Sequence, residues 1–329
     1  MNIPTIAKQF FSFITLLRAL AAIVITNSHY TGIYPTDMIA NGGLLGDVMF
    51  FSVSGFCLAS PTMSFLKWYP KRLWRIYAVV WVITLVYVLL GFYPIHTVTD
   101  GITTFLHPTK YHFIASITVL YVPLYFVAKH IQLNPKNFLL LSLGLLGVQL
   151  ILYTTIYDTS FYHIDTVREP MIEFLFFQSM LLGLHFRWRG KQYGEANTGR
   201  KDIWLLMLLL FALGMYFVSK LFFVRYTVFS DWQILNQLVL YLCLFLMFLF
   251  AMGQERRIKK LEGTKIWSVI QFLSDHTLEI YLVQSVLIGL VRGMQLPFPL
   301  NWVLTTTAIL LAAAVLRWST QKIIRLVKL

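Results

Sequence analysis

Residues 233–252 read QILNQLVLYLCLFLMFLFAM, twenty positions without a charge. At 1.5 Å per residue a helix of that length reaches about 30 Å, the thickness of the hydrocarbon core of a bilayer. Working outward from it, comparable apolar stretches lie near 13–31, 44–62, 76–93, 113–128, 137–154, 171–186, 203–220, 267–290 and 301–318. The chain has 329 residues, 58% of them hydrophobic and 12% charged, which is more apolar material than one soluble core would bury. The expected fold is therefore all-α: a polytopic membrane helix bundle of about ten transmembrane helices. Short connections leave no room for a second unit, so residues 1–329 are read as a single domain.

Twenty-seven Lys and Arg stand against 14 Asp and Glu, a net charge of +13. In a soluble chain that excess would raise the question of nucleic acid; in a membrane chain it reports orientation. Sorting the cations by alternate connections leaves only Lys110, Arg168, Lys220, Arg225 and Arg292 on one side. All others, from Lys8 through Lys71, Arg200 and Arg256 to Lys328, fall on the opposite side, which places both termini in the cytoplasm. The outward connections then carry Asp37, Asp100, Asp158, Asp165, Glu169 and Asp231. Residues 1–9 lead into a first span rather than forming a cleaved signal peptide. Cys57 and Cys243 sit inside apolar stretches and read as inert thiols, so neither a disulfide nor a metal site is expected.

Ionisable groups within a bilayer are costly and mark candidate sites. The first stretch holds two, Arg18 and His29. Eleven positions apart, they project within about 20° of one helix face and are separated by about 16 Å of rise. A cation below and an imidazole above suit a ligand with an anionic head and a long arm, the form of a coenzyme A thioester. The alternative is that Arg18 reaches cytoplasmic headgroups and His29 caps polar groups at the outer interface. Arg72 and Arg75, three apart at the start of the third stretch, offer forked guanidiniums suited to phosphate, or serve as positive-inside anchors. Glu279 lies inside the ninth stretch, four positions after Asp275, where it is placed to orient an arginine or His29, or to pair within the bundle. Glu173 opens the sixth stretch, where a helix-start carboxylate is expected in any case. Tyr281 is a candidate for lining an acyl tunnel or for packing. His107, Lys110, Tyr111 and His112 are candidates for meeting a glycan or for a solvated loop.

These residues resemble a known family, the acyltransferase 3 family of integral-membrane O-acyltransferases. Leu17-Arg18-Ala19-Leu20-Ala21 with His29 is similar to its arginine, ten residues, histidine pattern. Gly46 through Phe56, with Phe50-Phe51 and Ser54-Gly55-Phe56, resembles its glycine, Phe-Phe, Ser-Gly-Phe segment. Arg72 and Arg75 match its Arg-x-x-Arg pair, and Thr277 to Gln284 is similar to its late Tyr-Leu-Val-His segment. Two positions depart: Gln284 stands where many members have histidine, and Val48 occupies the place often acidic, with Asp47 one position earlier. The resemblance implies an acyl-CoA-dependent O-acyltransferase of the bacterial cytoplasmic membrane, moving a small acyl group, commonly acetyl, to a hydroxyl of a cell-surface or lipid-linked glycan. It implies that Arg18, Arg72 and Arg75 bind the donor's phosphates; His29 is the candidate catalytic residue, either as general base on the acceptor hydroxyl or as a relay that is itself acylated, and neither a metal nor nucleic acid is expected to take part. Without a fused extracellular domain, the chain is expected to acylate its acceptor directly or hand over to a separate extracellular transferase. A flippase or exporter of a lipid-linked sugar or polysaccharide is the rival reading, and a sensory or scaffold protein a third; CoA binding separates the enzyme from both.

Overall fold

A computed structural model describes residues 11–108, 111–166, 170–193 and 201–326. Lys8, Lys110, Arg168, Glu169, Arg200 and Lys328, used above for orientation, lie outside these residues. The described chain is helical, and among the described residues there is no strand. In chain order the helices are α1 (Ser12–Ser28), α2 (Gly43–Leu58), α3 (Phe65–Leu89), the short α4 (Val98–Gly101), α5 (His112–His130), α6 (Pro135–Ile156), α7 (Met171–Tyr193), α8 (Lys201–Arg225), α9 (Ile234–Gly253), the short α10 (Glu255–Lys259), α11 (Lys265–Asp275), α12 (Thr277–Gly293) and α13 (Leu300–Leu326).

Every apolar stretch of the sequence becomes helix. Six helices are long and apolar enough to cross a membrane: Phe65–Leu89, His112–His130, Pro135–Ile156, Asp202–Arg225, Ile234–Gly253 and Leu300–Arg325. α1 and α2 are apolar but shorter. α7 carries Glu173 in its first turn and Arg187 and Arg189 near its end, which dilutes its hydropathy. The stretch 267–290 is divided at His276, between α11 and α12. The division has a local cause: the Arg317 guanidinium donates to the Asp275 carbonyl, and the Thr277 hydroxyl donates back to the Leu273 and Ser274 carbonyls at 3.0 and 2.9 Å. Side-chain bonds that compete with the helix ladder bend helices in this way.

The Phe11 end of α1 lies beside the ends of α2, α7 and α9, whereas the His29 end lies beside the loop 31–42. Contacts fix this alternation. At the first end, Phe11 meets Phe56 ring edge to face at 5.3 Å, and the Lys129 ammonium donates to the Pro61 carbonyl at 3.3 Å. The N-terminal amides of α1, which have no partners within the helix, are satisfied by a carboxylate: Ser12 N and Phe13 N donate to the two Glu255 oxygens at 2.8 and 2.7 Å. At the other end the Asn27 amide donates to the carbonyls of Ile39 and Asn41 at 2.8 and 3.1 Å, and accepts from the Tyr34 hydroxyl at 2.8 Å.

Two glycine-mediated crossings set the position of α2. Against α1, Gly43 faces the Ser28 side chain and Gly46 faces Ile25 and the Ala21 carbonyl. Against α7, Gly55 lies on the Met180 carbonyl and Gly183 on the Ser52 carbonyl, so closely that a methyl group on either would collide with backbone. Small residues at such crossings let membrane helices approach to van der Waals contact. Beside this seam Phe51 stacks on Phe176 with centroids 4.2 Å apart, and Phe13 packs on Phe56 at 5.5 Å.

Candidate functional site

The guanidinium predicted in the first helix and the two predicted in the third converge. Arg18, Arg72 and Arg75 line one cavity of 280 Å³, bounded by α1, α2, α3 and α5 and closed on one side by Leu278 of α12. Ser54, Cys57 and Tyr121 complete its polar lining, and no carboxylate contributes to it. The placement follows from local structure. α2, pinned by its glycines, turns Phe50, Val53, Ser54 and Cys57 toward the cavity, a repeat of three and four that lies on one helix face. Arg72 and Arg75 share a face of α3 because they are three apart. The Arg72 guanidinium sits 5.8 Å from the ring centroid of buried Trp68, which holds it by a cation–π contact. Arg18 is half-buried and makes no hydrogen bond or ion pair among the described residues, and Arg75 is exposed at the mouth. Three cations face one space with no counter-charge among the described residues of its wall, an arrangement able to receive an anion, and the forked donors suit phosphate.

Cys57 differs from the sequence expectation. It is exposed, opening on this cavity among the arginines, whereas Cys243 is buried; both are free thiols. Its spacing from Ser54 and Phe50 carried the signal. Tyr121 had none, since its place depends on how α5 packs.

His29 does not line the arginine cavity. It terminates α1 at the opposite end, exposed, with no hydrogen bond or ion pair from its ring among the described residues. The α-helix is continuous from Arg18 to Ser28, so the separation of about 16 Å holds. Between the two levels stands Asp47. Gly43 is level with Ser28 and Gly46 with Ala21 and Ile25, so Asp47 faces the middle of α1. It is 7% exposed and makes no hydrogen bond or ion pair. A second cavity, of 260 Å³, runs along the His29 half of α1 against α11, α12 and α13. Its wall includes Thr26, whose buried hydroxyl has no partner, and Tyr30, whose hydroxyl lies 2.9 Å from that of Thr306. Exposed Ile23 and Trp302 open it sideways.

Glu279 is brought to Arg317 rather than to His29: the buried carboxylate lies 3.7 Å from that guanidinium, at the division between α11 and α12. Tyr281 is half-buried with its ring 5.3 Å from Phe113. Gln284 is buried, its amide oxygen unpartnered. Glu173 accepts from the Ser116 hydroxyl. Of the loop cluster, His107 is exposed while Tyr111 is 3% exposed and packs near Tyr93, so the four do not form one surface, and Lys110 lies outside the described residues. Among the described residues no group of three or more His, Cys, Asp or Glu is arranged to hold a metal ion.

With this geometry in place, comparison with family models is decisive: residues 11–319 match the model of the acyltransferase 3 family, described as an acyltransferase domain. The chain belongs to the acyltransferase 3 family. Neither the comparison with curated proteins nor that with solved structures finds a match. The matched region takes in all the helices that build the arginine cavity, so this acyltransferase domain includes Arg18, His29, Arg72, Arg75 and Glu279 together.

Proposed function

We propose that the protein is a membrane O-acyltransferase that takes an acyl group, most simply acetyl, from cytoplasmic acyl-CoA and delivers it to a hydroxyl of a cell-surface or lipid-linked glycan. The observation that carries the reading is the convergence of Arg18, Arg72 and Arg75 on one cavity with no carboxylate among the described residues of its wall, Arg18 standing on the helix whose other end carries an imidazole without a partner among those residues. In this reading the chain crosses the bacterial cytoplasmic membrane ten times with both ends in the cytoplasm, and the cations at the Phe11 end face the donor.

The residues divide the work. The arginines hold the donor's phosphates at the inner mouth. An extended pantetheine arm, comparable in length to the roughly 16 Å between Arg18 and His29, carries the thioester up the face of α1. His29, neutral near pH 7, accepts the proton of the acceptor hydroxyl as its oxygen attacks the thioester carbon. The carbon–sulfur bond breaks, the ester forms, and the CoA thiolate departs to take up a proton. The sideways-opening cavity along Thr26, Tyr30 and Trp302 offers the acceptor's lipid an entry from the bilayer, with hydroxyl groups at the level of His29. Glu279 acts through Arg317, holding α12 in place, and a separate extracellular transferase remains the partner for acceptors beyond the membrane.

The test is direct. Purified protein is incubated with radiolabelled acetyl-CoA and an envelope lipid extract. Label should pass to a glycan or lipid-linked sugar with wild type and not with His29→Ala, while donor binding survives in the variant. Transport of a lipid-linked sugar with no CoA binding would replace the enzyme by a flippase.

A further inference from the structure

A larger cavity than the arginine site lies next to it. It measures 640 Å³ and is formed where the ends of α2, α5 and α7 meet, at the Phe11 end of the molecule. The last turn of α2 is a wall common to both: Cys57 and Leu58 line the arginine cavity, Ala59 and Ser60 the larger one. The polar lining of the larger cavity includes Thr62, Lys129, Gln132, Arg187 and Trp188, with two cations and no carboxylate among the described residues.

Its cation is built in rather than adventitious. Arg187 is half-buried, and its guanidinium carbon lies 4.8 Å from the Phe11 ring centroid and 5.2 Å from that of Phe56. The two phenyl faces fix the guanidinium and leave its N–H donors to a ligand. Lys129 reaches across the rim to the Pro61 carbonyl. Trp188 is held at the end of a stacked series, its ring 6.0 Å from His185, which in turn stacks on Phe138 at 4.5 Å. The His185 ring is oriented by its Nδ1 at 2.8 Å from the Leu133 carbonyl. A fixed indole beside two cations is the combination that recognises a phosphorylated nucleoside: the base stacks and the phosphate is gripped.

We propose that this second cavity binds the 3′-phosphoadenosine portion of the acyl-CoA donor, while the arginine cavity holds its pyrophosphate and arm. The inference rests on the donor assigned above and adds where the nucleotide sits and which residues select it. Size separates the roles. Pockets that enclose whole drug-sized ligands run from about 300 to 1,000 Å³; 640 Å³ lies well inside that range, whereas 280 Å³ falls just below it and suits the narrower part of the donor better than its bulky end. Arg187 and Lys129 grip the 3′-phosphate, Trp188 lies against the adenine, and the chain of the donor turns around the end of α2 past Cys57.

The experiment compares two ligands on the full-length protein in nanodiscs. CoA and dephospho-CoA, which lacks only the 3′-phosphate, are each titrated against bound labelled acetyl-CoA. Wild type should prefer CoA by at least about tenfold, the usual scale of a charge-assisted contact. In Arg187→Gln combined with Lys129→Gln the preference should collapse to about onefold by weakening CoA alone. Arg75→Gln should weaken both ligands and keep the ratio. Adenosine 3′,5′-bisphosphate should also displace the label from wild type and less well from Trp188→Ala, a measurement that decides the matter even where the double variant does not fold. Equal affinity of CoA and dephospho-CoA for wild type, or a ratio unchanged in the double variant, overturns the nucleotide site while leaving the donor assignment intact. Failure of wild type to bind labelled acetyl-CoA at all overturns both.

Discussion

Arg18 and Arg317 should respond in opposite ways to the same substitution. Arg18 lines the arginine cavity and has no hydrogen bond or ion pair among the described residues, so Arg18→Gln breaks no such pair. Arg317 pairs with Glu279, which is 5% exposed, and also donates to the Asp275 carbonyl. Removing one member of a fully buried pair costs roughly 3–5 kcal/mol because the other charge is left in low dielectric. The separation here is 3.7 Å and the Arg317 side chain is 31% exposed, so the figure belongs lower, at about 2–3 kcal/mol. Arg317→Gln should therefore lower unfolding stability in mixed micelles by that amount, and Glu279→Gln combined with it should restore most of the loss. Arg18→Gln should leave stability within about 0.5 kcal/mol but weaken donor binding by about 1.5–3 kcal/mol, roughly 10- to 150-fold. Two results refute the reasoning: an Arg18→Gln protein that binds donor normally, or a double variant at 279 and 317 no more stable than Arg317→Gln alone.

The Gly55–Gly183 seam admits no side chain, so Gly183→Ala must push α2 from α7 and should cost about 1–3 kcal/mol, the range for overpacked cores; an unchanged unfolding midpoint would show that the seam yields. Among the described residues Asp47 is buried without a hydrogen bond or ion pair, so Asp47→Asn should leave the unfolding midpoint unchanged or raise it, and a lowered midpoint would reveal a structural role for the carboxylate. At the exposed start of α4 the backbone amide of His96, with the hydroxyl and amide of Thr97, holds the Asp100 carboxyl below the usual carboxylate range. Because its folded value is depressed, this capping box is fully present above the ordinary aspartate pKa of about 3.9 and is lost as pH falls through the lowered value. Hydrogen exchange of the His96 and Thr97 amides should show protection surviving below pH 4, and protection already gone at pH 5 would contradict the bond.

What sequence could reveal here depends on how local the signal is. The helices were legible because each apolar stretch is continuous, and Arg72 with Arg75 because their spacing places both on one face. Their meeting with Arg18 was legible through the resemblance rather than through any periodicity, since it depends on α2 fixing the distance between α1 and α3. Gly183 gave no signal alone; its meaning appears only against the Ser52 carbonyl. The division at His276 was hidden for a similar reason, because the Arg317 that draws on the Asp275 carbonyl arrives from another helix. Arg187 was read only as one more cation at a helix end, and its role required the faces of Phe11 and Phe56.

The clamps on α1 have a consequence for how transfer can proceed. Glu255 anchors the foot of that helix through two amides, and Asn27 ties its head to the loop above. A rod fastened at both ends works as a ruler: neither the guanidinium nor the imidazole on it can travel toward the other. In the proposed reaction any shuttle across the membrane must then be the swing of the donor's own flexible tether, and a donor with a shortened tether should bind and yet never reach the reacting position.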